Sequence, residues 1–350
     1  MRFSRPSASA LVLLAIALCC QAVPGQKQPR GSKLFRFDHA AMGTQFTLFL
    51  YSATNTEAAA EADEVFEEID RLEQLLSNYR STSELSRINA LAARQTITTD
   101  PEVIRFLQDS LHWSAASDGA FDITVGKLMK AWGFYVHQGR IPAADEISKL
   151  RAATGWQKLQ VDPNGRTVHF ADPGVELDPG GIGKGFAVDA AIRILRADGV
   201  TSAMLSAGSS TVYALGAPPH KSGWPVVIAG PLPSKAALSV VLLRDTSLSS
   251  ADCSQKNFVA GGHLYCHIMD PRTLRPVEGR VQVTIVDPSA TASDALSNVL
   301  FVDDPDQSFQ ILREYAPEAR ALVLSNRDGD IHCALFRWKS RVALPQCVSH

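Results

Sequence analysis

Apolar positions along the chain change period several times, and each period predicts an element. Ala58, Ala62, Val65, Ile69, Leu72 and Leu76 recur three or four apart, the spacing of one helix face. Thr54 and Glu57 stand where a capping box would start that helix. Asp100 and Pro101 read as N-cap and first residue of a second helix, which carries Ile104, Leu107 and Leu111. The stretch between the two, SNYRSTSELSRINA, reads as a loop. Upstream, LFRFDHAAMGTQFTLFLYS is strand-like, with Gly43 marking a bulge or close backbone approach. A short helix is predicted near residues 146–153, and KLQVDPNGRTVHF forms a hairpin turning at Pro163 to Gly165. ELDPGGIGKGFAVD then opens a helix with Ala187, Ala190, Ala191, Ile194 and Leu195 along one face and Gly199 as its stop. Beyond it, strands (AMLSAG, PVVIAG, LSVVLLR, VQVTIVD) alternate with turns, with helices around Asp294 and across 307–315, and a final hairpin, ALVLSNRDGDIHCALF. The pattern has no tandem repeat, and it defines an α+β class of mixed sheets covered by helices.

The first residues break this pattern. Arginines at 2 and 5, an apolar run from Ala10 to Cys20 and small residues near Ala22 and Gly25 read as a secretory signal over residues 1–25. A membrane-spanning helix would need about 20 apolar residues, more than this run supplies. Residues 26–34 read as a polar tether and 35–350 as the working domain. Export is therefore the expectation. Lipid attachment at Cys19 or Cys20 is the less favoured alternative, because Leu18 and Cys19 are poor residues to precede a modified cysteine. Without the leader, 32 basic residues face 36 acidic ones, a formal charge of −4 that gives no electrostatic case for nucleic acid. Four of the six cysteines remain (Cys253, Cys266, Cys333, Cys347), and an exported even number permits disulfides in any of three pairings. No C-x-x-C pair suggests zinc.

Candidate chemistry begins at ELDPGGIGKGFAVD, residues 176–189. A G-x-x-x-x-G-K-[ST] loop would need glycine at 178 and a hydroxyl at 185, where the chain has Asp178 and Gly185. A G-x-G-x-x-G loop starting at Gly181 and Gly183 would end on Phe186. Neither motif is present, but their shared physics remains: glycines admit a close ligand, and amides at a helix start favour an anion or phosphate. A tight strand-to-helix turn is the plain alternative. Asp294 and Asn298, four apart on a predicted helix, share a face and offer the hard oxygen ligands that magnesium accepts, although such residues are more often caps or solvated. His267, in HIMDPRT, either packs structurally or takes a proton from a hydroxyl near neutral pH. Tyr79 either packs on the core or stacks on a planar ring. DGAFD at 118–122 is readable as a helix stop before a strand.

In order, AMGT (41–44), SNYRSTSELSRIN (77–89), SDGAFDITVGKLMKAWGF (117–134), LDPGGIGKGFAVD (177–189), HIMDPRT (267–273) and SDALSNVLFV (293–302) resemble the ApbE family of FAD:protein FMN transferases. The resemblance implies a bilobed, T-fold-related architecture of mixed sheets flanked by helices, with FAD in a cleft between lobes and Mg2+ at the pyrophosphate. Such enzymes split FAD, release AMP and attach FMN through a phosphoester to a threonine of an exported acceptor protein, which suggests a periplasmic setting near or anchored to the inner membrane. Carried over by motif, Met42 and Tyr79 would contact flavin or adenine, and Ala120, Phe121 and Asp122 would line the FAD site. Asp178 and Lys184 would make polar contacts with the cofactor, and Ile268 would lie beside it. The Gly181 carbonyl, Asp294 and Asn298 would hold the metal, and His267 with Asp294 would be catalytic. Three departures stand out: Asn298 where the family usually has threonine, AGSS (207–210) where paired glycines are common, and Leu274 after HIMDPRT where glycine is usual. The alternatives are a Mg2+-dependent FAD pyrophosphatase giving FMN and AMP, and a non-catalytic exported FAD-binding protein.

Overall fold

The computed structural model describes residues 31–350 except 137, 231–235, 255, 328, 345 and 346. The signal segment lies outside the described residues, as does the tether up to residue 30. Its last two residues, Lys33 and Leu34, are already in a strand. A nine-stranded sheet forms the centre of the molecule. In spatial order its strands are Lys33–Ala41, Thr44–Ser52, Ser202–Ala207, Thr211–Gly216, Thr246–Asp252, Arg280–Asp287, Arg320–Arg327, Asp330–Phe336 and Cys347–Ser349. Neighbours are antiparallel except for the last pair, which is parallel.

Strand alternation places Phe46, Leu48 and Leu50 on one face, fully buried. That face is covered by α1 (Asn55–Leu76), α6 (Gly183–Ala197), α7 (Ala290–Val302) and α8 (Pro305–Tyr315), with α3 (Pro101–Ala116) packed against α6 and α7, and together they form the main core. The opposite face, with Met204, Val212, Leu248 and Leu322, packs against the hairpin Trp224–Ala229/Ala237–Leu243. A satellite core of Leu128, Trp132, Phe134, Leu150, Met269 and Leu274 is built on α4 (Gly126–Ala131), α5 (Ala144–Ala153) and the short strands Met269–Asp270 and Arg275–Pro276. This third cluster is the smallest of the three cores of the α+β fold.

Local chemistry accounts for the elements. Thr54 caps α1 by accepting from the Glu57 amide at 3.2 Å, but the Glu57 carboxylate takes its bond from Ser52 rather than completing the capping box. Asp100 caps α3 with Pro101 in its first turn, as expected. Three local readings need correction. The stretch around Gly43 is a hairpin turn: Ala41 pairs with Thr44, while Met42 and Gly43 hold φ of +49° and +69°, the positive pair a two-residue type I′ turn requires. SNYRSTSELSRINA contains α2 (Glu84–Leu91), which Ser83 caps through the Ser86 amide at 3.0 Å. Only Leu85 and Ile88 of this helix are buried, too few apolar positions to reveal a period. DGAFD does stop α3, with Asp118 and Gly119 at positive φ, but turns and the short α4 follow instead of a strand.

Of the three pairings open to the cysteines, the structure has Cys253–Cys266 and Cys333–Cys347. The second joins residues already in register on neighbouring strands.

Candidate active site

The glycine turn is held from three sides. Asn89 of α2 brackets Leu177, accepting from its amide at 2.8 Å and donating to its carbonyl at 3.1 Å. The Asp178 amide donates to the Ile123 carbonyl at 2.7 Å, and the Asp178 carboxylate accepts from the Gly180 amide at 2.8 Å. Phe121 packs over the turn: a Cβ added at Gly181 would lie 3.1 Å from its ring. The expectation of amides open for phosphate is met in part: the Gly181 and Lys184 amides have no acceptor among the described residues, while two of their neighbours do. Gly183 donates to the Pro179 carbonyl at 2.8 Å and Gly185 to Asp294 Oδ2 at 2.9 Å, so both amides have internal partners.

Asp294 comes from α7, and several polar groups fix that helix. Asp189 of α6 accepts from the amides of Ala290 and Thr291 and from the hydroxyls of Ser289 and Thr291, at 2.7 to 2.9 Å. This carboxylate serves the first amides of α7, where negative charge is favoured. From the sheet, the hydroxyls of Ser247 and Ser249 each lie 2.8 Å from that of Ser293. Asp294 is 4% exposed. One turn on, Asn298 Nδ2 donates to the Gly181 carbonyl at 3.1 Å and to the Asp294 carbonyl at 3.0 Å.

Thus the three residues expected at the metal meet, although more than 100 positions separate the glycine turn from α7. A buried carboxylate with no ion pair among the described residues, beside a backbone carbonyl and a side-chain amide, suits Mg2+, which takes hard oxygen ligands and fills its other positions from water and phosphate. In the structure Asn298 turns its NH2 toward Gly181, so it is the amide oxygen that would have to turn inward to ligate.

On the satellite side, Tyr135 donates to Asp178 Oδ2 at 2.9 Å and receives a bond from the Asn78 amide. Burial first, then the Asp178 charge, raises the Tyr135 pKa and keeps the phenol protonated. Tyr79 is 68% exposed with its ring centroid 5.1 Å from that of Tyr135, so it does not pack in the core and its ring stands open for stacking. His267 Nδ1 lies 3.0 Å from the Lys256 carbonyl. A carbonyl only accepts, so Nδ1 carries the proton and Nε2 keeps its lone pair. Burial, followed by repulsion from Lys256 and Lys184, lowers the His267 pKa to about 4 and leaves the ring neutral at physiological pH.

The other expected residues take quieter places. Ala120 and Phe121 are buried beside the turn, and Ile268 is buried in the main core. The Asp122 carboxylate is held in its own loop by the amide and hydroxyl of Thr124, both at 2.7 Å, and burial raises its pKa. Met42 packs on the main core from its hairpin turn. Sequence reasoning missed Asn78, Tyr135, Asp189 and Lys256. Only Asp189 carried a signal, as the single acidic residue of α6; Tyr135 and Lys256 lie in irregular segments without period. A separate cleft of about 490 Å3, with Arg244, Arg320, Arg337 and Lys339 on its walls, shares no residue with this cluster.

Fold and site together define an α+β protein in which the Gly181 carbonyl, Asp294 and Asn298 converge and His267 is held neutral. The chain belongs to the ApbE family, whose model matches residues 42–323. It is 26% identical over 329 residues to the FAD:protein FMN transferase of Escherichia coli (strain K12), covering 91% of this chain and 93% of that one. It is 30% identical over 300 residues to the enzyme of the same name from Treponema pallidum (strain Nichols), covering 81% and 82%. The crystal structure of apo Pseudomonas stutzeri flavinyl transferase ApbE superposes with a TM-score of 0.77 at 29% identity, covering 88% of this chain and 96% of that one.

Proposed function

We propose that this protein is an FAD:protein FMN transferase that moves FMN from FAD to a threonine hydroxyl of an exported acceptor, with Mg2+ required. The observation that carries the reading is the convergence of the Gly181 carbonyl, Asp294 and Asn298 in a molecule whose His267 is held neutral with Nε2 unprotonated. The acceptor hydroxyl gives its proton to Nε2 as its oxygen attacks the FMN-side phosphorus. The bond from that phosphorus to the bridging oxygen breaks, and AMP leaves with the electron pair. Bound magnesium would supply charge neutralisation on the phosphate oxygens. Tyr79 would stack on a ring of FAD, and Tyr135 orients Asp178 toward the cofactor.

The setting follows from the leader pattern, and two disulfides suit an oxidising compartment, here the periplasm. Among the described residues no helix is long and apolar enough to cross a membrane.

Mass spectrometry of an acceptor domain incubated with this protein, FAD and Mg2+ tests the reading. A mass gain equal to FMN is expected. Free FMN and AMP with an unlabelled acceptor would assign a pyrophosphatase instead, and stoichiometric intact FAD would assign a binding protein.

A further inference from the structure

Lys256 is absent from every motif that pointed to the site, yet it borders the same space. Its carbonyl accepts from both the backbone amide of His267, at 3.1 Å, and the ring Nδ1. The antiparallel pair Asn257–Ala260/His263–Cys266 begins at the next residue, and the Cys253–Cys266 disulfide closes the segment. Lys256 and His267 are therefore held together as one unit. The Lys256 ammonium makes no hydrogen bond or ion pair with the described residues. The charges that act on it are those of Asp178 and Lys184, both in the glycine turn, and it in turn repels a proton from His267. It is open to solvent but crowded by protein, as a side chain in a cleft would be; desolvation lowers its pKa. Asp178 is already engaged by Tyr135 and Gly180. At His267 the charges of Lys256 and Lys184 outweigh that of Asp252, and the net positive charge is the complement of a diphosphate.

We propose that Lys256 is a catalytic residue whose ammonium donates to the non-bridging oxygens of the phosphoryl group in flight, while its carbonyl sets the tautomer of His267. This rests on the transferase reading. Lys256 transfers no proton in the step: the hydroxyl proton goes to His267 and the electron pair of the broken bond leaves with AMP. The charge is most valuable when phosphate oxygens gain charge in the transition state, so its loss falls on kcat more than on FAD affinity.

Single-turnover labelling of the acceptor by wild type, Lys256→Gln, Lys256→Arg and His267→Ala, with FAD binding followed by flavin fluorescence, tests this. Lys256→Gln is expected to lose about 100-fold or more in the labelling rate, the usual cost of one oxyanion donor, and to keep FAD affinity within about threefold. Its acid limb should move to higher pH, because one of the two cations that repel a proton from His267 is gone; Lys184 and Asp252 remain. Lys256→Arg should recover to within about tenfold of wild type. Lys256→Gln labelling at the wild-type rate with an unmoved acid limb overturns the proposal, as does Lys256→Arg being as slow as Lys256→Gln while both bind FAD. In either case an active wild type beside a dead His267→Ala leaves the transferase reading standing. A wild type that binds FAD but neither labels nor cleaves it overturns both.

Discussion

The amide of Gly185 donates to Asp294 Oδ2 across 2.9 Å, and this bond ties the start of α6 to the helix that carries the carboxylate proposed to hold Mg2+. Only glycine allows the approach: a Cβ at 185 would lie 2.2 Å from the Ala290 carbonyl oxygen and 2.8 Å from the Asp294 Cβ. Both neighbours belong to the body of α7 and cannot swing aside. Gly185→Ala should cost roughly 1 to 3 kcal/mol or more through overpacking, and should weaken Mg2+ binding as α7 is pushed back. Thermal melts and metal titration check it; an unchanged melting temperature would show that α6 and α7 have more freedom than their contacts imply.

Asp294→Asn keeps an oxygen for the Gly185 amide while removing the charge. Labelling should fall by a factor on the order of 100 or more, and titration by Mg2+ should weaken, with little change in fold. Mn2+ binding followed by electron paramagnetic resonance measures the site without reference to turnover. Full Mn2+ affinity in the variant would take Asp294 out of the metal site.

His267 titrates at about 4, below the ordinary value of 6.5, so its basic form persists as pH falls. The labelling rate kcat/KM should stay flat from pH 8 to about 5.5, where an unperturbed histidine would already be mostly protonated. His267→Ala should bind FAD normally and fail to label. A rate that halves near pH 6.5 would place the controlling group elsewhere or in a different environment.

Asp287 is 6% exposed, and burial pushes its carboxyl up to about 6 despite a bond from the Ser289 amide. The folded pKa lies above the unfolded one, so the folded state holds the proton more tightly. Stability contributed by that proton is present below about pH 4 and is lost as pH rises through about 6. Asp287→Asn keeps the acceptor oxygen and removes the buried charge. Urea unfolding should show it roughly 1 to 2 kcal/mol more stable than wild type at pH 7.5, the gap closing toward pH 4.

Leu274 stands where glycine was expected and holds φ +61°. Leucine here adopts the left-handed backbone that glycine takes more freely. Its side chain is 1% exposed in the satellite core, and its carbonyl accepts from the Trp132 indole at 3.1 Å. The left-handed backbone costs about 1 to 2 kcal/mol, whereas emptying a buried leucine site costs about 3 to 5 kcal/mol. Leu274→Gly should therefore destabilise by roughly 2 kcal/mol, measured by denaturant unfolding, with the backbone path unchanged. A stabilised variant would mean the strain outweighs the packing.

Periodicity and capping chemistry are local, so the chain itself dictated α1, α3, α6, α7 and most strands, together with the motifs that led to Asp178, Gly181, His267, Asp294 and Asn298. The resemblance to the ApbE motifs, and not periodicity, marked Asn298 and Leu274 as unusual. What the chain by itself could not contain is distance. That Gly181 and Asn298 touch, that Asp189 caps a helix 100 residues away, and that Gly185 spends its amide on Asp294 depend on α6 and α7 packing side by side on one face of the sheet. The pairing of the four cysteines was settled in the same way, by which strands became neighbours. Protonation states belong to this second kind of information too: a histidine reads the same in any sequence, and only the burial and the two lysines assembled around His267 keep it neutral.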